Sequence, residues 1–197
     1  TMTSRLLGLV RDLSLAYYFG ASNAMDAFFV AFRIPNLLRD LFAEGVMSAA
    51  FVPTFTRRLT TSGRAAAWRL GTQLINSLIL ITGTIVILGI VFAEPITRLF
   101  AQEFSSVPGK LELTIQLTRI MLPFLTLVAV AVACMGMLNS LNRFFVPALS
   151  PAMYNVSLIL SAALLAPLMS RVGLEPIMAI AIGVILGGVG QIAAQYW

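Results

Sequence analysis

Apolar residues fill stretches long enough for helices, and short clusters rich in Gly, Pro, Ser, Asn or charge punctuate them. This pattern predicts six helices, at about 1–19, 26–57, 65–100, 111–142, 147–169 and 175–197. A bilayer is crossed by about 20 predominantly apolar residues, and Leu70 to Ala93 is such a run without a single charge. The expected fold is therefore all-α: a polytopic transmembrane helix bundle of six helices, forming one lobe across residues 1–197.

The polar positions within the pattern are concentrated in the first two helices. Ser4, Arg5, Gly8, Arg11 and Asp12 fall within an arc of about 120° at 3.6 residues per turn, a stripe that must face protein or water. FGASNAMD, from Phe19 to Asp26, reads as a turn in which Ser22 or Asn23 can cap the next helix. The following stretch, Asp26 to Gly45, reads as membrane-spanning yet carries Asp26, Arg33, Arg39, Asp40 and Glu44. A charge in hydrocarbon costs several kcal/mol unless it faces a cavity or a partner, so these positions point to function. A helix lying on the membrane surface would need a wide polar face. Phe28, Phe29, Phe32, Leu37, Leu38, Leu41 and Phe42 are spread around the helix and leave none.

Asp26, Arg33, Asp40 and Glu44 recur close to i, i+7, i+14 and i+18, on one face, with Arg39 off that face in an ideal helix. Pro35 removes a backbone hydrogen bond and predicts a kink or local unwinding around Ile34 to Asn36. Counted from the intervening turn, Arg11 and Arg39 lie roughly 14 and 20 Å along their helices, similar depths near the midplane.

Thr56 to Arg69 reads as a short loop with Arg57, Arg58, Arg64 and Arg69. The positive-inside rule makes it cytoplasmic and places the amino terminus on the same side. Gln73, Asn76 and Ser77 read as packing hydrogen bonds, Ala101 to Leu113 as an external connection and Pro123 as a bend. Asn139, Asn142 and Arg143 mark the inner end of the fourth helix, and Asn155 joins them as a helix-end polar position on the fifth. Gly183, Gly187, Gly188 and Gly190 follow no strand and precede no lysine, which disfavours a phosphate-cradling loop. A close-packing small-xxx-small seam is the better reading. Trp68 and Trp197 sit where interfacial anchors would.

Composition sharpens the class. The chain is 59% hydrophobic and 11% charged, against roughly 25% charged in a soluble domain, and its mean hydropathy is +0.93. It is an integral membrane protein. Cys134 alone excludes an internal disulfide, and the absence of histidine removes the usual metal ligand and neutral-pH base. No metal or cofactor is expected, and metallohydrolase and Ser-His chemistries are excluded. The net charge of +5 is dispersed along apolar helices instead of forming a basic patch on a soluble face, so no nucleic-acid partner is expected. A cationic interior receiving an anionic ligand uses the same charges better. No nucleophile–base pair stands out at helical spacing, which leaves an enzyme the least favoured class. The chain opens inside a helical pattern and closes without a hydrophilic end, as a fragment would, and shows no signal peptide.

SRLLGLVRD followed by FGASNAMDAFFVAFRIPNLLRDLFAEGVMSAAFVPTF resembles the amino-terminal signature of the MurJ (MviN) family, and the likeness continues through NSLNRFFVPALSPAMYN, Asn139 to Asn155. The resemblance implies a lipid II flippase of the bacterial inner membrane with the multidrug/oligosaccharidyl-lipid/polysaccharide exporter fold. That fold has two six-helix lobes and two further helices around a cationic cavity, and alternates between inward- and outward-facing states. This chain would be the first lobe, and its partners lipid II, membrane lipids and the second lobe of the same full-length chain.

Carried over by position, Ser4, Arg5, Arg11 and Asp12 match the family's sensitive first-helix residues, with Arg11 implied as a ligand for the pyrophosphate. Arg39 matches the second-helix cavity arginine, Asp26 and Glu44 its acidic positions, and Arg33 a basic one. Arg11, Arg39, Arg5 and Ser4 are thus the implied substrate-binding set, and Asp12, Asp26, Arg33 and Glu44 the gating or ion-pair set. Asp40 departs from the family, where a second basic residue is expected beside Arg39. Guanidinium forks suit the assignment because they bind phosphate bidentately and keep their charge when desolvated. The competing readings are a related exporter of another lipid-linked oligosaccharide or a cationic drug, and a non-transporting membrane scaffold. A drug antiporter should line its cavity with unpaired carboxylates, which this sequence does not supply.

Overall fold

The computed structural model describes residues 2–40 and 50–195, and among the described residues there are helices and turns but no strand. In chain order the elements are α1 (Met2–Phe19), α2 (Asn23–Asp40), α3 (Val52–Val91), α4 (Ala93–Phe100), a 3-10 turn (Gln102–Ser106), α5 (Lys110–Met121), α6 (Phe124–Ser140), α7 (Phe145–Leu160), a π turn (Ser161–Leu165), α8 (Ala166–Arg171) and α9 (Met178–Gln195). Four stretches are long and apolar enough to cross a membrane: Val52–Val91, Lys110–Ser140, Phe145–Arg171 and Met178–Gln195. α1 and α2 do not join them, because each carries several charged side chains within 18 residues.

Six helices, the sequence expectation, is therefore not the count that the described residues show. The expected third helix steps at Phe92 into α4, and the fourth divides at Leu122 and Pro123, where the sequence predicts a bend. The fifth passes through the π turn into α8, and the sixth starts at Met178. Conversely, α2 runs through the buried Pro35 as one helix, without the expected unwinding. Its missing hydrogen bond is accommodated within the helix.

The largest departure lies in Thr56–Arg69, which is helical instead of a loop. α3 is broken at one residue, Gly63, with φ 83° and ψ 173°. Along an uninterrupted helix Phe55 and Trp68 would be about 20 Å apart, yet their ring centroids are 6.4 Å apart. The helix therefore folds back on itself at Gly63. Phe51, Phe55, Ala67 and Leu78 bury together against Ala133 and Met137 of α6, which holds both arms in place.

Turn chemistry elsewhere is local. Gly20 adopts φ 56°, and the Met25 amide donates to the Ser22 side chain at 3.3 Å, capping α2. α6 ends on Asn142 at φ 58°, with the Arg143 amide donating to the Leu138 carbonyl at 3.0 Å, a left-handed helix stop.

α9 is the packing centre. Its Gly183 and Gly187 face α7: a Cβ at Gly187 would lie 3.2 Å from the Tyr154 Cα, and Ser157 donates to the Gly183 carbonyl at 2.9 Å. Gly188 faces the other way, onto Leu127 and Phe124 of α6. α6 also packs on α3, α2 packs on α5 and α6, and α1 packs on α7. The main core joins Phe28 and Ala31 of α2, Leu117 and Met121 of α5, Phe124 of α6, Leu158 of α7 and Ile180 and Val184 of α9.

Gly63 occupies a region of φ/ψ space reserved for glycine, where another residue costs about 1–3 kcal/mol. Gly63→Ala is expected to lower the thermal unfolding temperature of the detergent-solubilised protein. Gly83→Ala, in the second arm with open space around its added methyl, is expected to leave it unchanged or raise it.

Candidate functional site

Two arginine–aspartate pairs of the same construction mark the site, each made by neighbours in sequence. On α1, Arg11 donates from Nε and Nη2 to Asp12 Oδ1 at 2.9 and 2.7 Å. On α2, Arg39 donates from Nε and Nη2 to Asp40 Oδ1 at 3.1 and 2.8 Å. The side chains remain partly open to solvent, 28% and 63% exposed in the first pair and 37% and 47% in the second. Such pairs contribute little net stability, so each arginine can exchange its aspartate for a stronger anion at small cost. Asp40 is the residue that neutralises Arg39.

Arg11 has a second partner. Its Nη1 donates to Asn155 Oδ1 on α7 at 3.0 Å. Gly8, one turn earlier, faces the same residue: a Cβ there would sit 3.9 Å from Asn155 Nδ2, an ordinary contact. Asn155 is thus not at a helix end; it is buried inside α7. Its neighbour Tyr154 forms a triangle of rings with Phe32 of α2 and Phe124 of α6, stacked on Phe32 at 6.4 Å between centroids and tilted against Phe124 at 5.5 Å. α1 and α2 are therefore linked through α7.

Arg39 and Asp40 border a cavity of about 220 Å³ that is also lined by Ser150, Gln191 and Gln195. Gln195 is buried and donates to Ser150 Oγ at 2.9 Å, while its Oε1 has no hydrogen-bond partner among the described residues.

Arg5 and Arg33 are exposed, with no described carboxylate within ion-pair distance. Asn139 is half-buried, and Asn142 and Arg143 are exposed at the end of α6, where they terminate the helix. Glu44 and the side chain of Ser4 lie outside the described residues.

Asp26 pairs not with an arginine of the first two helices but with Lys110, at 2.8 Å. Lys110, at the start of α5, also donates to Asn23 Oδ1 at 3.1 Å and stands 4.1 Å from the centre of the Phe104 ring. Its side chain is 8% exposed, against 58% for Asp26. Sequence reasoning missed this residue. The available signal was that Lys110 is the only lysine among 13 basic residues and directly follows a Pro-Gly turn. This cluster adjoins a cavity of about 350 Å³ lined by Asn23, Glu112, Gln116 and Glu175.

The difference in burial predicts an asymmetry. Asp26→Asn strands a buried ammonium and is expected to cost about 1–3 kcal/mol. Lys110→Met leaves only a well-solvated carboxylate and should cost less. Asp26→Asn combined with Lys110→Met is expected to recover most of the loss, measured as a double-mutant cycle on thermal unfolding.

The comparisons with known proteins agree with this architecture. A family model described as "Lipid II flippase MurJ" matches residues 15–197, and so begins just after the Arg11–Asp12 pair. The chain is 36% identical over 197 residues to a probable lipid II flippase MurJ of Buchnera aphidicola subsp. Schizaphis graminum, covering 100% of this chain and 37% of that protein. It is also 36% identical over 195 residues to lipid II flippase MurJ of Burkholderia cenocepacia, covering 99% and 37%. A solved structure titled as lipid II flippase MurJ in an inward closed conformation superposes with a TM-score of 0.73 at 32% identity, over 98% of this chain and 40% of that one. The chain thus spans a little over a third of the length of these relatives. With the first-helix arginine pair covered by the relatives and the rest by the family model as well, the chain belongs to the lipid II flippase MurJ family.

Proposed function

We propose that this chain is the amino-terminal lobe of a lipid II flippase, and that Arg11 and Arg39 receive the substrate pyrophosphate during its passage across the bacterial inner membrane. In this reading the chain is one six-helix lobe with its amino terminus on the cytoplasmic side, and a second lobe of the full-length protein completes the cavity. The activity is transport and not bond-making chemistry.

The observation that supports it is the pair of weakly held guanidiniums. Each has a neighbouring aspartate as its ionic partner, and each pair is partly exposed. A pyrophosphate carries more charge than one carboxylate and accepts bidentate hydrogen bonds. It therefore displaces Asp12 and Asp40, which keep the arginines compensated when substrate is away. Asn155 holds the Arg11 fork in position while this exchange occurs. Arg5 and Arg33 extend the cationic surface, Ser4 is assigned to the same binding set, and Asp26 and Glu44 are taken as acidic positions whose contacts change between states. Asp26 is already engaged by Lys110 of this same lobe, and its exposed carboxylate can also meet a group of the second lobe as the lobes rock.

The test is lipid II translocation in cells depleted of their own flippase and supplied with the full-length protein. Losing one charge-assisted pair costs about 1.5–3 kcal/mol. Arg11→Ala and Arg39→Ala are each expected to reduce translocation by roughly 10- to 100-fold at normal membrane insertion. Arg11→Lys and Arg39→Lys keep the charge without the fork and should fall between. Unchanged translocation in the double alanine variant would overturn the site, and an inactive native protein would favour another exporter or a scaffold.

A further inference from the structure

We propose that the α3 hairpin carries a second anion site, separate from Arg11 and Arg39, in which Arg58 and Arg69 grip the phosphate of an anionic glycerophospholipid headgroup. The fold-back at Gly63 sets the arm bearing Arg58 against the arm bearing Arg69, and between them lies a cavity of about 470 Å³. Arg58, Ser62, Arg69 and Gln73 line it, and its floor is the small side chains of Ala65 and Ala66. Arg58 and Ser62 lie one turn apart on the arm before Gly63, and Ala66, Arg69 and Gln73 recur every three or four residues on the arm after it, so the two arms together line the cavity with two guanidinium forks, a hydroxyl and an amide.

These guanidiniums lack the compensation that Arg11 and Arg39 have. No Asp or Glu occurs between Gly45 and Ala93, a stretch that contains Arg57, Arg58, Arg64 and Arg69. Among the described residues none of the four has a carboxylate within ion-pair distance. The hydroxyls of Thr56, Thr60 and Thr61 donate to carbonyls of their own helix and do not engage the arginines. Two forks, a hydroxyl and an amide with no internal anion suit a phosphate, which accepts from all four.

Position selects the lipid over a soluble phosphate. Arg69 immediately precedes the charge-free run that begins at Leu70, so the cavity lies at the hydrocarbon boundary, where lipid phosphates reside. Leu70 forms an apolar wall of the same cavity, fitting the glycerol and first acyl carbons. Trp68, exposed beside it, is the residue type that sits at headgroup level.

The experiment uses the full-length protein, delipidated in neutral detergent and titrated with phosphatidylglycerol, phosphatidylcholine or inorganic phosphate, with bound lipid counted by native mass spectrometry. Removing two interfacial arginines, in Arg58→Gln with Arg69→Gln, is expected to weaken the tightest phosphatidylglycerol binding event on the order of 30-fold. Phosphatidylcholine binding should be the same in native and variant, and inorganic phosphate at equal concentration should not displace phosphatidylglycerol. Arg57→Gln with Arg64→Gln removes equal charge from the same hairpin outside the cavity and should have a much smaller effect. Equal losses in the two double variants would reduce the site to a diffuse basic surface and overturn it, as would unaltered binding in the first. Displacement by inorganic phosphate would overturn the lipid assignment. Should the glutamine variant fail to fold, Arg58→Lys with Arg69→Lys, which keeps charge and loses the forks, is expected to weaken binding several-fold, and no change would count against the proposal.

Discussion

A guanidinium carried into a membrane helix stays charged, and much of this molecule is arranged around where that charge is allowed to rest. Arg11 and Arg39 lie on the two helices whose charge keeps them out of the set of simple apolar spans. Each is compensated by the residue that follows it. Both partners of each pair lie on one helix, one residue apart, so these contacts need no tertiary partner and confine no other helix. The consequence is a cationic site that is neutralised at rest and easily reopened.

The surroundings of the site are far more rigid than the pairs themselves. α7 supplies Asn155 to Arg11 and Tyr154 to the ring cluster with Phe32 and Phe124, while the glycines of α9 pack against its Tyr154, Ser157 and Leu158. Glycines at 183 and 187 allow backbone-level approach to α7, and Gly188 allows the same to α6. In a membrane, where apolar surface gains little by leaving lipid, such close approach is a principal source of helix association. The rigid seam thus fixes Asn155, and Asn155 fixes one nitrogen of Arg11, leaving the remaining donors to exchange partners.

Three kinds of basic site occur on one chain, and burial separates them. Lys110 is enclosed by Asp26, Asn23 and Phe104, so its charge is committed to holding α5 and the preceding turn against α2. Arg11 and Arg39 are half-committed. The arginines of the α3 hairpin have no carboxylate within ion-pair distance among the described residues and are exposed. The order of decreasing compensation is also an order of increasing availability to an outside anion.

Much of this was legible in the sequence because it depends on local chemistry. Composition and apolar run length determined the membrane class and the helical nature of the chain; Ser22, Asn142 and Pro123 announced a cap, a helix end and a break; and the placement of arginines in helices one and two marked the candidate site. Pro35 misled because a buried proline can be absorbed within a helix, and Thr56–Arg69 misled because a single glycine turns the chain where a polar loop was expected. Only the tertiary structure decided who partners whom. Lys110 meets Asp26 across 84 residues and Arg11 meets Asn155 across 144, and contacts at that separation follow from the packing of α1 on α7 and α2 on α5, which no local pattern encodes.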